Sequence, residues 1–166
     1  DAGVNYDFPM NTDMISAKIG KGTHSFLHGA AMSKTEVELC FIKGSEIVAT
    51  IANTGSNCIG FGEMGIGNTA TASVLMSIIL DLPIQDCVGK GTGVHDEQLI
   101  KKISILKKCI ANYDGSDDLD SKLAYFGGFE IMQMVGGMLQ AKQDNMLILV
   151  DGFICSVAFL IAFKKN

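Results

Sequence analysis

A glycine-rich loop that leads into a helix start is the part of this sequence best suited to chemistry. Residues 57–79 read NCIGFGEMGIGNTATASVLMSII, in which a short apolar run enters a loop that contains four glycines. Asn68 and Thr69 follow, and residues of these types accept hydrogen bonds from the free N–H groups at a helix start. A strand, a loop and a helix start in this order direct backbone donors at an anion. The sequence therefore predicts an anion-binding loop.

The loop also contains a carboxylate, Glu63. A carboxylate beside a bound phosphate is repelled by about 4 kcal/mol when unit charges lie ~4 Å apart at intermediate dielectric. We therefore expect Glu63 to face a sugar hydroxyl, a cationic ring or a proton that must be removed. The alternative is a turn residue that hydrogen-bonds its own backbone, and the sequence pattern does not separate the two.

A second glycine-rich stretch, VGKGTG at residues 88–93, precedes an amphipathic helix predicted to begin at Asp96. This stretch is either a plain turn or a second anion cradle that uses Lys90. Lys102, in the following helix, either reaches a phosphate or is solvated. Residues 60–65 also satisfy the dinucleotide pattern G-x-G-x-x-G, but no strand ending in an acidic residue follows about twenty positions later. A nicotinamide dinucleotide-dependent oxidoreductase is therefore the less favoured alternative.

Length and composition restrict the class of protein. The 166 residues suffice for about one domain with a sizeable core, and the net charge of −5 argues against a nucleic-acid partner. Five cysteines without a C-x-x-C pair predict reduced thiols in a cytoplasmic protein, and neither His24 nor His28 has a paired ligand that predicts a metal site. The apolar tract 146–163 is broken by Asp151 and Gly152, so no membrane-spanning helix is expected.

Apolar segments that alternate with helical patterns predict an α/β fold. Strands are expected at residues 58–61 and 146–150, and helices at residues 12–19, 34–54, 70–80, from 96 onward, before 126, 129–141 and 153–163. Apolar strands separated by helices are typical of a parallel sheet covered on both faces. Ligands bind beyond the carboxyl ends of such strands, so the glycine loop and Asp151 are expected at one edge, with residues 89–93 nearby. Gly136 and Gly137 would let another backbone approach closely.

Four stretches taken together resemble one enzyme family. They are GEMGIGNT at 62–69, VGKGTG at 88–93, GGFEI at 127–131 and DGF at 151–153. Their order and spacing are similar to those of the nicotinate-nucleotide:dimethylbenzimidazole phosphoribosyltransferases. The opening residues 1–4 and the stretches 21–23 and 29–32 resemble the preceding region of the same family, so the resemblance covers essentially the whole chain.

The resemblance implies a Rossmann-like α/β fold of three layers, with a parallel sheet covered by helices, and no metal or bound cofactor. It implies transfer of ribose 5-phosphate from nicotinate mononucleotide to 5,6-dimethylbenzimidazole or a related aromatic base. The products would be alpha-ribazole 5′-phosphate and nicotinate, in the assembly of the lower ligand of cobalamin. The enzymes of this family are usually homodimers, and a cytoplasmic homodimer is expected here.

The same resemblance suggests roles for residues of both glycine loops. Glu63 is the expected catalytic carboxylate, near the ribose or the incoming base. The expected phosphate- and nucleotide-binding residues are Met64, Gly65, Ile66, Gly67, Asn68, Gly89, Lys90, Gly91, Thr92 and Lys102.

The chain also departs from the family pattern. No Gly-Glu-Gly-type stretch follows Asp151 to supply the general-base glutamate of the family, and the N-terminal segment that helps enclose the aromatic base is not found. Lys90 stands where arginine is common, and His95 where aspartate is. We therefore expect residues 1–166 to form one incomplete α/β nucleotide-binding domain, the central portion of the family fold. A truncated, non-catalytic module that binds a nucleotide or phosphate is the open alternative.

Overall fold

A computed structural model of the chain describes residues 1–9, 13–89 and 96–166. In chain order its elements are α1 (Lys34–Ala52), β1 (Cys58–Gly60), α2 (Asn68–Leu80), α3 (Ile84–Cys87), α4 (Asp96–Ala111), α5 (Leu119–Phe126), α6 (Phe129–Gln143), β2 (Leu147–Leu149) and α7 (Phe153–Lys165). The two strands pair in parallel, with Ile59 opposite Ile148. The predicted α/β fold with a parallel sheet is confirmed.

Helix α1 begins with the capping box that the sequence predicts. The Glu36 N–H donates to the Ser33 hydroxyl at 3.2 Å, and the Ser33 N–H donates to the Glu36 carboxylate at 2.7 Å. These bonds satisfy N–H groups that have no partner within the helix. The bond from the Ser33 backbone also lowers the pKa of Glu36, because it stabilises the ionised carboxylate.

The prediction of a helix at residues 12–19 is wrong for residues 13–19, which are not helical. Residue 12 lies outside the described residues. The Ala17 N–H instead donates to the carbonyl of Asp1 at 3.0 Å. The Ala17 carbonyl accepts from the side-chain amide of Gln133 at 2.7 Å. The N–H and carbonyl groups of Ala17 therefore form hydrogen bonds with distant parts of the chain in place of helical ones.

The tightest packing joins α1 to α6. A Cβ atom added to Gly44 would lie 2.9 Å from the backbone nitrogen of Gly137, and one added to Gly136 would clash with the backbone of Phe41. The Ser45 hydroxyl donates to the Gly136 carbonyl at 3.0 Å, which fixes the register of the two helices. The close backbone approach predicted at Gly136 and Gly137 is confirmed.

The core lies mainly among the helices. Its largest fully buried side chains are Phe126, Leu75, Leu123, Ile131, Met132, Met138 and Ile161. Ile59 and Ile148 are half-buried and pack against a second, smaller buried cluster of Val48, Ala141 and Met146, whereas Leu147 and Leu149 are 63% and 56% exposed. Because side chains alternate between the faces of a strand, the described helices cover one face of the strand pair and leave the other exposed.

All five cysteines are free thiols, and only Cys58 is exposed. Burial raises the pKa of Cys40 to about 12, which keeps that thiol protonated at neutral pH. Among residues 1–9, 13–89 and 96–166, no helix has both the length and the apolar character needed to cross a bilayer.

Substitution of Gly44 tests the packing of α1 on α6. Gly44→Ala is expected to lower the free energy of unfolding by about 2 kcal/mol or more, because the new methyl group must push the two backbones apart. Urea unfolding followed by circular dichroism measures the change. Thr50→Ala, at an exposed position of the same helix, is the control and should change stability by less than about 0.5 kcal/mol. Equal midpoints for the two variants would contradict this account of the packing.

Candidate functional site

The glycine loop lies at the carboxyl edge of the strand pair, as predicted. Gly60, the last residue of β1, is in register with Leu149, the last residue of β2. The loop leaves β1 directly after Gly60, and Asp151 follows β2. Parallel strands end at the same edge, which is where ligands bind in α/β sheets.

A cleft of about 1220 Å³ opens at this edge. Its walls come from the loop and the first turn of α2, from the start of α6, and from N-terminal residues 1–5 and 22–26. Glu63, Gly65 and Asn68 of the predicted site all line this cleft. The cleft is large enough for a small-molecule ligand, so the structure brings the loop to a space that a ligand can enter.

The Glu63 carboxylate ties the loop to α2. Its Oε2 accepts a hydrogen bond from the Gly65 N–H at 2.8 Å and another from the side-chain amide of Asn68. Glu63 is therefore a turn residue that bonds the backbone of its own loop, as the simpler of the two interpretations predicts. It also lines the cleft and is half-buried, so the structural role does not remove the carboxylate from the site.

The start of α2 differs from the prediction. The N-cap is Gly67, whose φ of 84° is left-handed, and no side chain caps the helix there. Asn68 is buried and gives its amide to Glu63 instead. The expected capping by Asn68 and Thr69 is wrong, because a glycine takes the left-handed position and the nearby carboxylate engages the amide.

Lys102 of α4 lies at the first turn of α2. Its ammonium donates to the Thr69 hydroxyl at 2.9 Å, and burial lowers the pKa of Lys102. The side chain is half-buried, so it is not simply a solvated lysine of an exposed helix face. A helix N-terminus and an adjacent ammonium both attract an anion, and here they occur together.

The other predicted binding residues fall into three groups. Met64 and Ile66 line the cleft, yet 96% and 105% of their surfaces are exposed, so the described protein covers neither side chain. Gly89 is not among the residues that line the cleft. Lys90, Gly91 and Thr92 lie outside the described residues.

The structure adds Glu130 to the site. This residue, the second of α6, lines the same cleft as Glu63. A Cβ atom added to Gly65 would lie 2.9 Å from Glu130 Oε1, which places the carboxylate directly beside the loop. The only signal in the sequence was its position in GGFEI, a stretch that was matched to the family without a role for Glu130.

A substitution at Gly65 tests how closely the loop is packed. A methyl group there would meet the amide of Asn68 as well as Glu130 Oε1, so Gly65→Ala should break the bond between Asn68 and Glu63. The expected loss is about 1–3 kcal/mol in the free energy of unfolding, measured by urea denaturation. Gly62→Ala is the matched control, because no atom lies within 4 Å of a Cβ at that position. The explanation fails if both variants unfold at the same urea concentration.

The chain matches proteins whose names describe a phosphoribosyl transfer. A sequence model of the phosphoribosyltransferase family matches residues 1–166. A nicotinate-nucleotide–dimethylbenzimidazole phosphoribosyltransferase from Phocaeicola vulgatus is 43% identical over 166 residues, which are 100% of this chain and 48% of that protein. A protein of the same name from Ralstonia nicotianae is 48% identical over 152 residues, which are 91% of this chain and 43% of that protein.

A solved structure gives the same result for the fold. The crystal structure of CobT from Thermus thermophilus superposes with a TM-score of 0.92 at 29% identity, and the match covers 100% of this chain and 50% of that chain. The chain spans about half the length of the curated relatives it matches. Because the family model matches every residue and the fold agrees, the chain belongs to the nicotinate-nucleotide–dimethylbenzimidazole phosphoribosyltransferase family.

Proposed function

We propose that this chain supplies the nucleotide-binding part of an enzyme that transfers ribose 5-phosphate from nicotinate mononucleotide to 5,6-dimethylbenzimidazole or a related aromatic base. The products are alpha-ribazole 5′-phosphate and nicotinate, which places the reaction in the assembly of the lower ligand of cobalamin. The names of the relatives from Phocaeicola vulgatus and Ralstonia nicotianae support these substrates. The observation that carries the proposal is a cleft lined by the start of α2 and by the carboxylates of Glu63 and Glu130, with the Lys102 ammonium beside the same helix start.

The phosphate binds at the first turn of α2. The N–H groups of a helix start lack partners within the helix, and Lys102 holds its ammonium beside Thr69 there. Gly67 has no Cβ to obstruct an anion, and Asn68 completes the turn. Met64, Gly65 and Ile66 form part of the adjoining wall. For Gly89, Lys90, Gly91 and Thr92 the proposal of a second anion-binding loop rests on the sequence alone.

Glu63 stabilises the positive charge that develops during transfer. A nitrogen of the incoming base forms a bond to the anomeric carbon while the bond from that carbon to the nicotinate nitrogen breaks. The electrons of the broken bond pass to the pyridinium nitrogen, which becomes neutral as nicotinate leaves. A carboxylate near the ribose favours this oxocarbenium-like transition state, and Glu63 lines the cleft that would hold the sugar.

The benzimidazole ring carries one N–H proton, which must pass to a general base so that the product ring is neutral. The sequence shows no counterpart of the family's general-base glutamate, so we assign Glu63 to charge stabilisation and not to this proton transfer. The match to relatives covers about half of their length, and the proposed activity is therefore that of the whole enzyme. The comparisons do not favour a module that only binds.

We also propose that the protein acts in the cytoplasm as a homodimer. The free thiols of all five cysteines suit a reducing compartment. Exposed apolar side chains of α1 and α7, among them Ile42 at 50% and Phe163 at 68%, suit association with another polypeptide surface. That the partner is a second copy of the same chain is inferred from the resemblance to the family.

Substitution of Lys102 tests the proposed phosphate position. Lys102→Ala should weaken binding of both nicotinate mononucleotide and inorganic phosphate by about tenfold or more, because it removes a charge-assisted hydrogen bond. Isothermal titration calorimetry measures both ligands. Lys101→Ala removes the same charge from the neighbouring position on α4 and should change either affinity less than about threefold. Equal losses in the two variants would mean that Lys102 acts only through the general field of the helix, and the proposed phosphate position would be wrong.

A further inference from the structure

A second carboxylate, that of Glu130, lies beside the glycine loop that contains Glu63. Glu130 follows the N-cap of α6, Gly128, by two residues. A Cβ atom on Gly128 would lie 3.3 Å from both Glu130 oxygens, and one on Gly65 would lie 2.9 Å from Oε1. The carboxylate thus occupies the space between the start of α6 and the loop, where glycines at both positions leave room for it.

The carboxylates of Glu63 and Glu130 differ in their hydrogen-bond partners. Glu63 Oε2 accepts two hydrogen bonds from the loop and α2. In the part of the chain that the structure describes, the Glu130 carboxylate has neither a hydrogen-bond donor nor an ion-pair partner, although it is half-buried and lines the cleft. No fully buried side-chain oxygen or nitrogen of the described residues lacks a partner, so both Glu130 oxygens are accessible and can accept hydrogen bonds from the hydroxyl groups of a ligand in the cleft.

The cationic and carboxylate groups occupy different places at the cleft. Lys102 lies beside the cleft, where it contacts Thr69 in the first turn of α2, whereas Glu130 lines the cleft next to Gly65. A nucleoside monophosphate has a matching separation, with an anionic phosphate at one end and neutral ribose hydroxyls further along. A carboxylate is the side chain that proteins commonly use to bind the hydroxyls of ribose.

We propose that Glu130 binds the ribose hydroxyls of the nucleotide, so that the sugar is held between the phosphate site at α2 and the start of α6. This inference rests on the proposed function, because it takes a ribose 5-phosphate group as the ligand. Glu130 then positions the anomeric carbon relative to Glu63. Its two oxygens accept hydrogen bonds from the sugar, and no covalent bond is made or broken at this residue.

A purely structural explanation is also available for Glu130. An acidic residue in the first turn of a helix is stabilised by the helix dipole, whatever the ligand. That role predicts an effect on the stability of the protein alone. It predicts no difference between ligands that contain a ribose and ligands that do not, and this difference separates the two explanations.

The experiment compares three probes by isothermal titration calorimetry: nicotinate mononucleotide, ribose 5-phosphate and inorganic phosphate. Glu130→Ala should weaken binding of the two ribose compounds by about tenfold or more, because charge-assisted hydrogen bonds to the hydroxyls are lost. The affinity for inorganic phosphate should stay within about twofold or increase slightly, since a nearby negative charge is removed. Glu130→Gln keeps an acceptor and should give an intermediate loss.

The matched control is Glu97→Ala, which removes an exposed carboxylate from the second position of α4. It should leave all three affinities unchanged, and circular dichroism checks that each variant is folded. If Glu130→Ala fails to fold, the comparison is made with Glu130→Gln, which keeps the shape of the side chain.

Each outcome decides between the two proposals. If the wild-type protein binds ribose 5-phosphate more tightly than phosphate and Glu130→Ala loses that preference, the assignment of Glu130 stands. If the wild-type protein shows the preference and both Glu130 variants keep it, the assignment of Glu130 is overturned while the proposed function stands. If the folded wild-type protein binds phosphate but neither ribose compound, the proposed function fails, and the role of Glu130 fails with it.

Discussion

The Glu63 carboxylate fixes the shape of the glycine loop on which the rest of the site depends. It accepts from the Gly65 N–H and from the Asn68 side chain, and so joins the middle of the loop to the first turn of α2. Hydrogen bonds to a charged group contribute about 1.5–3 kcal/mol each, enough to hold a loop that is otherwise rich in glycine. With the loop in this shape, the start of α2 lies beside Lys102 and the start of α6 lies beside Gly65.

The packing of α1 on α6 is the support behind this loop. Gly44 and Gly136 let the two helices approach at backbone distance, and the bond from Ser45 to the Gly136 carbonyl prevents them from sliding. The position of α6 along α1 is therefore fixed, and this position determines where Glu130 contacts the loop. A carboxylate at the end of a rigid helix is better placed to orient a sugar than one on a free loop.

The features that the sequence predicted well can be inferred from residue types in a short stretch of chain. The capping box at Ser33 and Glu36 depends on contacts within one turn, and the close approach at Gly136 follows from the absence of a side chain. The glycine loop at the carboxyl edge of β1 followed from the order strand, loop, helix, which is a general property of parallel sheets. These features require no knowledge of distant parts of the chain.

The features that the sequence could not predict depend on contacts between separate segments. Residues 13–19 are not helical because their backbone bonds to Asp1 and Gln133. Asn68 does not cap α2 because Gly67 takes the N-cap position, and the Asn68 side chain donates to the Glu63 carboxylate. Glu130 lies beside the loop because α6 packs where it does, and its position in the stretch GGFEI does not by itself indicate this contact. The spacing of apolar residues predicts helices and strands, whereas the hydrogen-bond partner of a polar side chain depends on the tertiary fold.

The most direct test of the account is a crystal structure of the protein with nicotinate mononucleotide bound. We expect the phosphate at the first turn of α2 within hydrogen-bond distance of the Lys102 ammonium, and the ribose between Glu63 and Glu130. A nucleotide bound in the opposite direction, or a phosphate held away from α2 and Lys102, would contradict the central claim that the charged groups in and beside this cleft are arranged to bind a ribose 5-phosphate.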